Sequence, residues 1–183
     1  MLKLGYEPTD LDCYSGYSDA NDEVFNYLME IGLPFDKEWE EEQAIDYMPE
    51  NQVEIIISKG AKPTEFTYDL IVEWRNYDLL KLILKEKVDN EALGMMLKEA
   101  IVIGDIESLR ILMETGFDVN QTIETEDGKT TLLHIASENP SRHIVEYLLD
   151  LGAEPDKLDE EGQTPYDRAK ECNFLEIAEM VKI

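Results

Sequence analysis

The sequence predicts an all-α stack of short helix pairs, and three observations predict it. An eleven-residue phrase occurs twice: Val53–Pro63 returns as Val145–Pro155, with five of the eleven positions identical. A fixed distance of 12 residues separates a small or apolar residue in one helical pattern from the start of an apolar pair in the next. A glycine closes most of those second patterns four residues later. Self-similarity at a fixed period is the mark of stacked repeats, in which no unit can bury its apolar face alone. Such a stack has no built-in catalytic cleft; it offers a long surface.

Read in order, the spacing gives six helix pairs. Gly16 and Leu28 frame the first, with Gly32 closing it. Ala44 and Ile56 frame the second, closed by Gly60. Ile71 and Ile83 frame the third, where Ile71 breaks the small-residue rule and Lys87 stands in the glycine place. Ala100, Leu112 and Gly116 mark the fourth; Ala136, Leu148 and Gly152 the fifth; Ala169 and Val181 the sixth. In the fifth copy Thr131–Ala136 opens a short helix, and Ile144, Val145, Leu148 and Leu149 then fall on one helical face. Gly152 ends that helix because glycine takes the left-handed C-cap conformation without a Cβ clash. The interval from Gly32 to Gly60 is 28 residues and that from Gly116 to Gly152 is 36. The extra length lies in the polar stretch Gln121–Lys129, expected to protrude as a hairpin or to be mobile.

The C-terminal copies resemble the ankyrin repeat. Thr131, Leu133, His134 and Ala136 match one copy of its pattern, and Gly162, Thr164, Pro165 and Ala169 match the next, with Tyr166 and Asp167 replacing the Leu-His pair. The resemblance is clear over residues 92–183 and degenerate over 7–90, where the Thr-Pro-Leu-His element is missing. It implies one ankyrin-repeat domain over residues 1–183, with repeats at about 7–34, 35–63, 64–89, 90–120, 127–156 and 161–183. It also implies that His134 is structural, bonding the neighbouring turn. His143 reads as a surface residue.

Composition narrows the function. The 183 residues carry 42 acids and 16 Lys or Arg, a net charge of −26. That disfavours nucleic-acid backbones and anionic membrane surfaces, and favours a basic protein partner. Residues 1–50 are the most negative part, with 14 acids against 2 bases, densest at Asp36–Glu42. No run of 18 apolar residues suggests a transmembrane helix, and Met1–Asp10 has no signal-peptide pattern, so a cytoplasmic location is expected. Cys13 and Cys172 are expected as free thiols. The sequence contains no nucleophile elbow, zinc-binding helix, phosphate loop or calcium loop. No enzyme, metal or cofactor is therefore expected.

In ankyrin proteins the hairpin tips and the ends of the first helices usually face the partner. The two positions after the small pair of each first helix are Ser18-Asp19, Asp46-Tyr47, Glu73-Trp74, Val102-Ile103, Glu138-Asn139 and Glu171-Cys172. Asp46, Glu73, Glu138 and Glu171 form an acidic column, with Tyr47 and Trp74 as aromatic anchors of the kind enriched at interface hot spots. Trp39, set among Glu38, Glu40 and Glu41, joins them as a candidate contact at a loop tip. The alternative for Trp74 and Tyr47 is that they plug gaps in irregular repeats. Val102 and Ile103 are expected in the core. The expected function is non-catalytic protein binding. Its sharpest form is an acidic inhibitor, of the immunity type, that neutralises a basic toxin or nuclease; the alternative is an adaptor or scaffold subunit.

Overall fold

A computed structural model of the chain describes residues 50–58, 63, 65–85, 88–125 and 128–183. These fall in two compact units, residues 1–67 and 68–183. Of the expected features, Gly16, Leu28, Gly32, Ala44, Gly60, Lys87 and Cys13 lie outside the described residues, as do the candidate contacts Trp39, Glu40, Glu41, Asp46 and Tyr47.

In the first unit, helix α1 (Glu50–Ser58) buries Gln52, Val53, Ile56 and Ile57 on one face. Ile56, the expected apolar-pair residue of the second copy, is fully buried. Helix α2 (Glu65–Glu73) begins in this unit and ends in the next.

In the second unit, α3 (Tyr77–Ile83) follows α2 after a tight turn. Then come α4 (Asn90–Val102), α5 (Ile106–Met113), strands β1 (Thr122–Thr125) and β2 (Gly128–Thr131), and helices α6 (Leu132–Ser137), α7 (Arg142–Asp150), α8 (Pro165–Glu171) and α9 (Leu175–Met180). The pairs α4–α5, α6–α7 and α8–α9 each pack together. One row runs α4–α6–α8; a second row brings α3 against α5 and α7 against α9.

The 12-residue rule reads directly as core. Ile71, Ala100, Ala136 and Ala169 are fully buried, as are Leu112, Leu148 and Val181, with Ile83 only 4% exposed. Alanine in the first row lets neighbouring helices approach; the longer aliphatic residues of the second row fill the layer between. Short polar residues start the helices. Asn76, Asp89 and Asp105 each accept a backbone N–H of the first turn. Thr164 and Asp167 bond reciprocally in a capping box, with Pro165 in the first turn, so Thr-Pro acts as a helix start. Gly116 and Gly152 have φ of +87° and +90°, the conformation their closing role requires.

The fold departs from purely α at one place. Gln121–Lys129 contributes most of an antiparallel ribbon, with Thr122 opposite Thr131 and Thr125 opposite Gly128. The expected hairpin is present, and it is β-structured. Ile123 anchors it on α4: a Cβ at Gly94 would come within 2.9 Å of Ile123 Cγ2. That carbon is branched next to the backbone and has little room to yield. Gly94→Ala should therefore lose stability, although alanine is worth about 1 kcal/mol more than glycine in a helix. A measured gain in melting temperature would show that the ribbon is free to shift.

Candidate functional site

The ribbon and the ends of the first-row helices enclose a shallow groove of about 150 Å³. Lys98 and Val102 come from α4, Thr125 and Thr130 from the ribbon, and Ile135, Glu138 and Asn139 from α6 and its end. Arg168 of α8 closes one side. Val102 is 48% exposed, which corrects its expected place in the core, and Ile103 is half-buried. The reason is geometric. Val102 falls on the same helical face as the half-buried Met95, Lys98 and Glu99, turned away from the buried face of Met96, Leu97, Ala100 and Ile101, and it lines the groove.

Arg168 organises the groove's far side. Its guanidinium grips Asp159 Oδ2 through Nε at 2.7 Å and Nη2 at 2.6 Å, Glu138 Oε1 through Nη1 at 3.0 Å, and Glu161 Oε2 at 3.4 Å. The Asp159 side chain is almost fully buried. Burial pushes the Asp159 carboxyl pKa up, but the Gln163 amide and Arg168 outweigh it and hold it below the usual range. Glu171 accepts from Gln163 Nε2 at 2.6 Å. Burial first, then the Glu138 and Glu171 charges, push the Cys172 thiol pKa up. Cys172 is exposed and free, as expected.

Glu73 belongs to a different group. It faces Glu99 together with Asp69; burial first, then these two charges, push the Glu99 carboxyl pKa up, with Lys98 opposing. Glu73 is exposed and Trp74 half-buried. The turn after α2 is tied to α4, with Arg75 Nη2 donating to Ile103 O at 3.4 Å. Arg75 holds a left-handed φ of +54°, a conformation that costs a non-glycine residue roughly 1–2 kcal/mol. Gly104 and Asn173 take the same conformation, each four residues after the small position of its copy. Arg75→Gly should relieve that strain and leave melting unchanged or raised; a clear drop would show that the bond to Ile103 outweighs it.

His134 is buried, and both ring nitrogens are engaged: Nδ1 with Thr131 Oγ1 at 2.8 Å and Nε2 with Gln163 O at 3.0 Å. A carbonyl only accepts, so Nε2 carries the proton, and neutral Nδ1 accepts from the threonine hydroxyl. Threonine at helix start, histidine three residues on, and the next loop's carbonyl are thereby locked together. A family model for ankyrin repeats, three copies long, matches residues 69–159 and again 97–182, together more than half of the chain.

The chain belongs to the ankyrin-repeat family. Mouse protein phosphatase 1 regulatory subunit 27 is 34% identical over 86 residues, covering 47% of this chain and 53% of that protein. Mouse ankyrin repeat domain-containing protein 40 is also 34% identical over 86 residues, 47% of this chain and 22% of that protein. An L-asparaginase of Dirofilaria immitis is 34% identical over 95 residues, 52% of this chain and 16% of that enzyme. The chain thus spans about half the length, or less, of these curated relatives. Ankyrin repeats imply a protein–protein interaction module. No helix among the described residues is long and apolar enough to cross a membrane.

His134 carries a pH signature of the ankyrin stack. Burial pushes its pKa below the ordinary 6.5, against bonds and charges that raise it. The unfolded chain therefore takes up the proton at higher pH than the folded one. The stability that neutral His134 supplies is present above about pH 6.5 and is lost as pH falls below that value. Asp159, held below the usual carboxylate range, keeps its charge over the same interval. Unfolding free energy should fall more steeply between about pH 7 and 5 in the native chain than in His134→Gln. Equal slopes would assign the dependence to other groups.

Sequence reasoning missed Lys98, Thr125, Thr130, Ile135 and Arg168 as groove residues. The register could have found Ile135, since it directly precedes Ala136. Lys98 and Arg168 had no such signal.

Proposed function

We propose that this chain is a non-catalytic ankyrin adaptor that holds a protein partner against the groove at the ribbon side of its first-row helices. The observation that carries this reading is Val102, an aliphatic side chain 48% exposed among Lys98, Thr125, Thr130 and Glu138. An apolar spot rimmed by polar groups is the form of an interface core. In this reading the stack has six helix pairs with the repeat boundaries given above. In the second unit the proposed contacts are Glu73, Trp74, Glu138 and Glu171; Trp39, Glu40, Glu41, Asp46 and Tyr47, which lie outside the described residues, are proposed as further contacts from the sequence register. The net charge of −26 supports a partner with a basic surface and electrostatically accelerated encounter. It also keeps open an inhibitor of a basic toxin as a special case of the same face.

Affinity capture with the purified chain, washed at low and high salt and read by mass spectrometry, tests this. One protein retained stoichiometrically, and weakened by Trp74→Ala with unchanged melting, is the expected result. If Trp74→Ala collapses the fold and leaves the binding of surviving molecules intact, Trp74 belongs to the core. If no protein is retained at either salt, the adaptor reading fails. An association rate that does not change on adding about 0.5 M salt would remove the electrostatic element.

A further inference from the structure

The two edges of the ribbon differ. On β2, Lys129 donates its amide to Glu160 Oε2 at 2.7 Å, and its carbonyl accepts the Glu160 amide at 2.9 Å. Both groups therefore turn away from β1, so the facing pair Lys129 and Glu124 exchanges no backbone bonds. The N–H and C=O of Glu124 then point outward from β1, where among the described residues they bond nothing. One edge of the ribbon is closed and the other is open.

Helix α4 supplies a shelf along the open edge. It runs beside β1 in the same direction: Asn90 bonds the Gln121 side chain at 3.5 Å, Gly94 meets Ile123, and Lys98 and Val102 share the groove with Thr125. With Gly94 toward the ribbon, Lys98, Val102 and Met95 follow round the helix at roughly 40°, 80° and 100°. The buried Leu97 and Ile101 lie on the opposite side of Gly94. β2 leads straight into α6, which packs on α4, so the side away from α6 belongs to the β1 edge. Met95 and Lys98 are half-buried there and Val102 is exposed.

We propose that an extended segment of the partner protein adds to β1 as a third strand, exchanges backbone bonds with Glu124, and lays alternate side chains on Met95, Lys98 and Val102. This rests on the adaptor reading and names how its partner is held. Side chains of an added strand share faces with those of its neighbour, so the segment residue opposite Glu124 points away from α4 and the residues flanking it point down. Measured from Ile123, the down-facing positions fall at about 0, 7 and 13 Å along the strand. Met95, Lys98 and Val102 stand at about 2, 6 and 12 Å along the helix from Gly94. The segment thus reads apolar, polar, apolar on its lower face, with neutral or basic residues beside Glu124. A second copy of this chain is disfavoured as the occupant, because it would bring a second Glu124 and a second charge of −26 to the same edge.

Phage-displayed random twelve-residue peptides, panned on the purified chain, supply the probe. Glu124→Pro removes the outward amide and breaks no bond to β2, a change that edge strands tolerate. The enriched peptide should lose about tenfold in affinity or more on Glu124→Pro and change by less than about threefold on Glu124→Gln, which keeps the amide. Val102→Thr should weaken it severalfold. Single N-methylation of the peptide should abolish binding only at alternate residues, a readout that leaves the chain native and so stands apart from any folding defect. The Glu124 amide should exchange rapidly in the free chain and slowly in the complex. Equal binding by Glu124→Pro, N-methylation losses that do not alternate, no enriched peptide, or self-association of the chain abolished by Glu124→Pro overturns the inference. A captured protein partner indifferent to Glu124→Pro sinks this inference alone; the adaptor reading fails separately, when no protein is captured.

Discussion

Arg168→Met should unfold at markedly lower urea than the native chain, at a cost of about 3–5 kcal/mol at neutral pH. The side chain is 16% exposed and neutralises the buried Asp159 carboxylate with two short bonds. Methionine keeps much of the volume and none of the charge, leaving Asp159 buried and unpaired on that side. Two features separate this from a simple packing loss. Asp159 would keep the Gln163 amide but lose Arg168, which also depresses its pKa, so the deficit should shrink as pH falls and the carboxylate takes up a proton. Pairing Arg168→Met with Asp159→Asn should cost less than the two single changes summed, because both remove the same interaction. Chemical denaturation of the four proteins at about pH 7 and pH 5 checks both points. Additive losses independent of pH would show that Arg168 acts through packing alone.

Leu148→Ala should cost about 2–5 kcal/mol, the range for a large aliphatic residue truncated in a packed interior. Leu148 is fully buried on α7, which packs against both α6 and α9. Neighbours on two sides restrict collapse into the cavity, which argues for the upper half of that range. In a stack whose members touch only their neighbours, the loss should appear first in the C-terminal pairs. Hydrogen exchange read along the chain checks this: α7, α8 and α9 should lose protection before α4. A uniform loss from α4 to α9 would show that the described stack unfolds as one unit.

Much of the fold was legible because its rules are local and periodic. The 12-residue spacing finds the buried pairs Ala100 and Leu112, Ala136 and Leu148, and Ala169 and Val181, since stacked helices put the same burial at the same phase. Thr164-Pro165 reads as a helix start because capping involves neighbours in sequence. His134 was legible as structural from its place in the repeat pattern, and both its ring nitrogens are bonded. The ribbon was legible only as a protrusion. Thr122–Thr125 is too short for its alternation to compete with a loop reading, and its seat against Gly94 depends on a residue nearly thirty positions earlier.

The site was less legible than the fold. Val102 and Ile101 are aliphatic neighbours at the end of α4, yet one is exposed and the other buried; Val102 shares its helical face with Lys98 and Glu99, a cue that the comparison of repeat positions passed over. The expected acidic column meets a similar difficulty. Glu138 is bound to Arg168, 30 residues away, while Glu73 joins Asp69 and Glu99. Such pairings arise from stacking between repeats, and within-repeat register carries no record of them.

The ribbon's outer edge has a consequence for solubility. Lys129 donates its amide to Glu160 Oε2 at 2.7 Å, and its carbonyl accepts the Glu160 amide at 2.9 Å. Both backbone groups that β2 would offer to a passing strand at this position are therefore already used by the loop before α8. A two-stranded ribbon standing out from a helical protein is otherwise a template for strand addition between molecules. Here the loop serves as a partial third strand and brings a carboxylate with it, so crowding of these molecules need not lead to sheet growth along that edge.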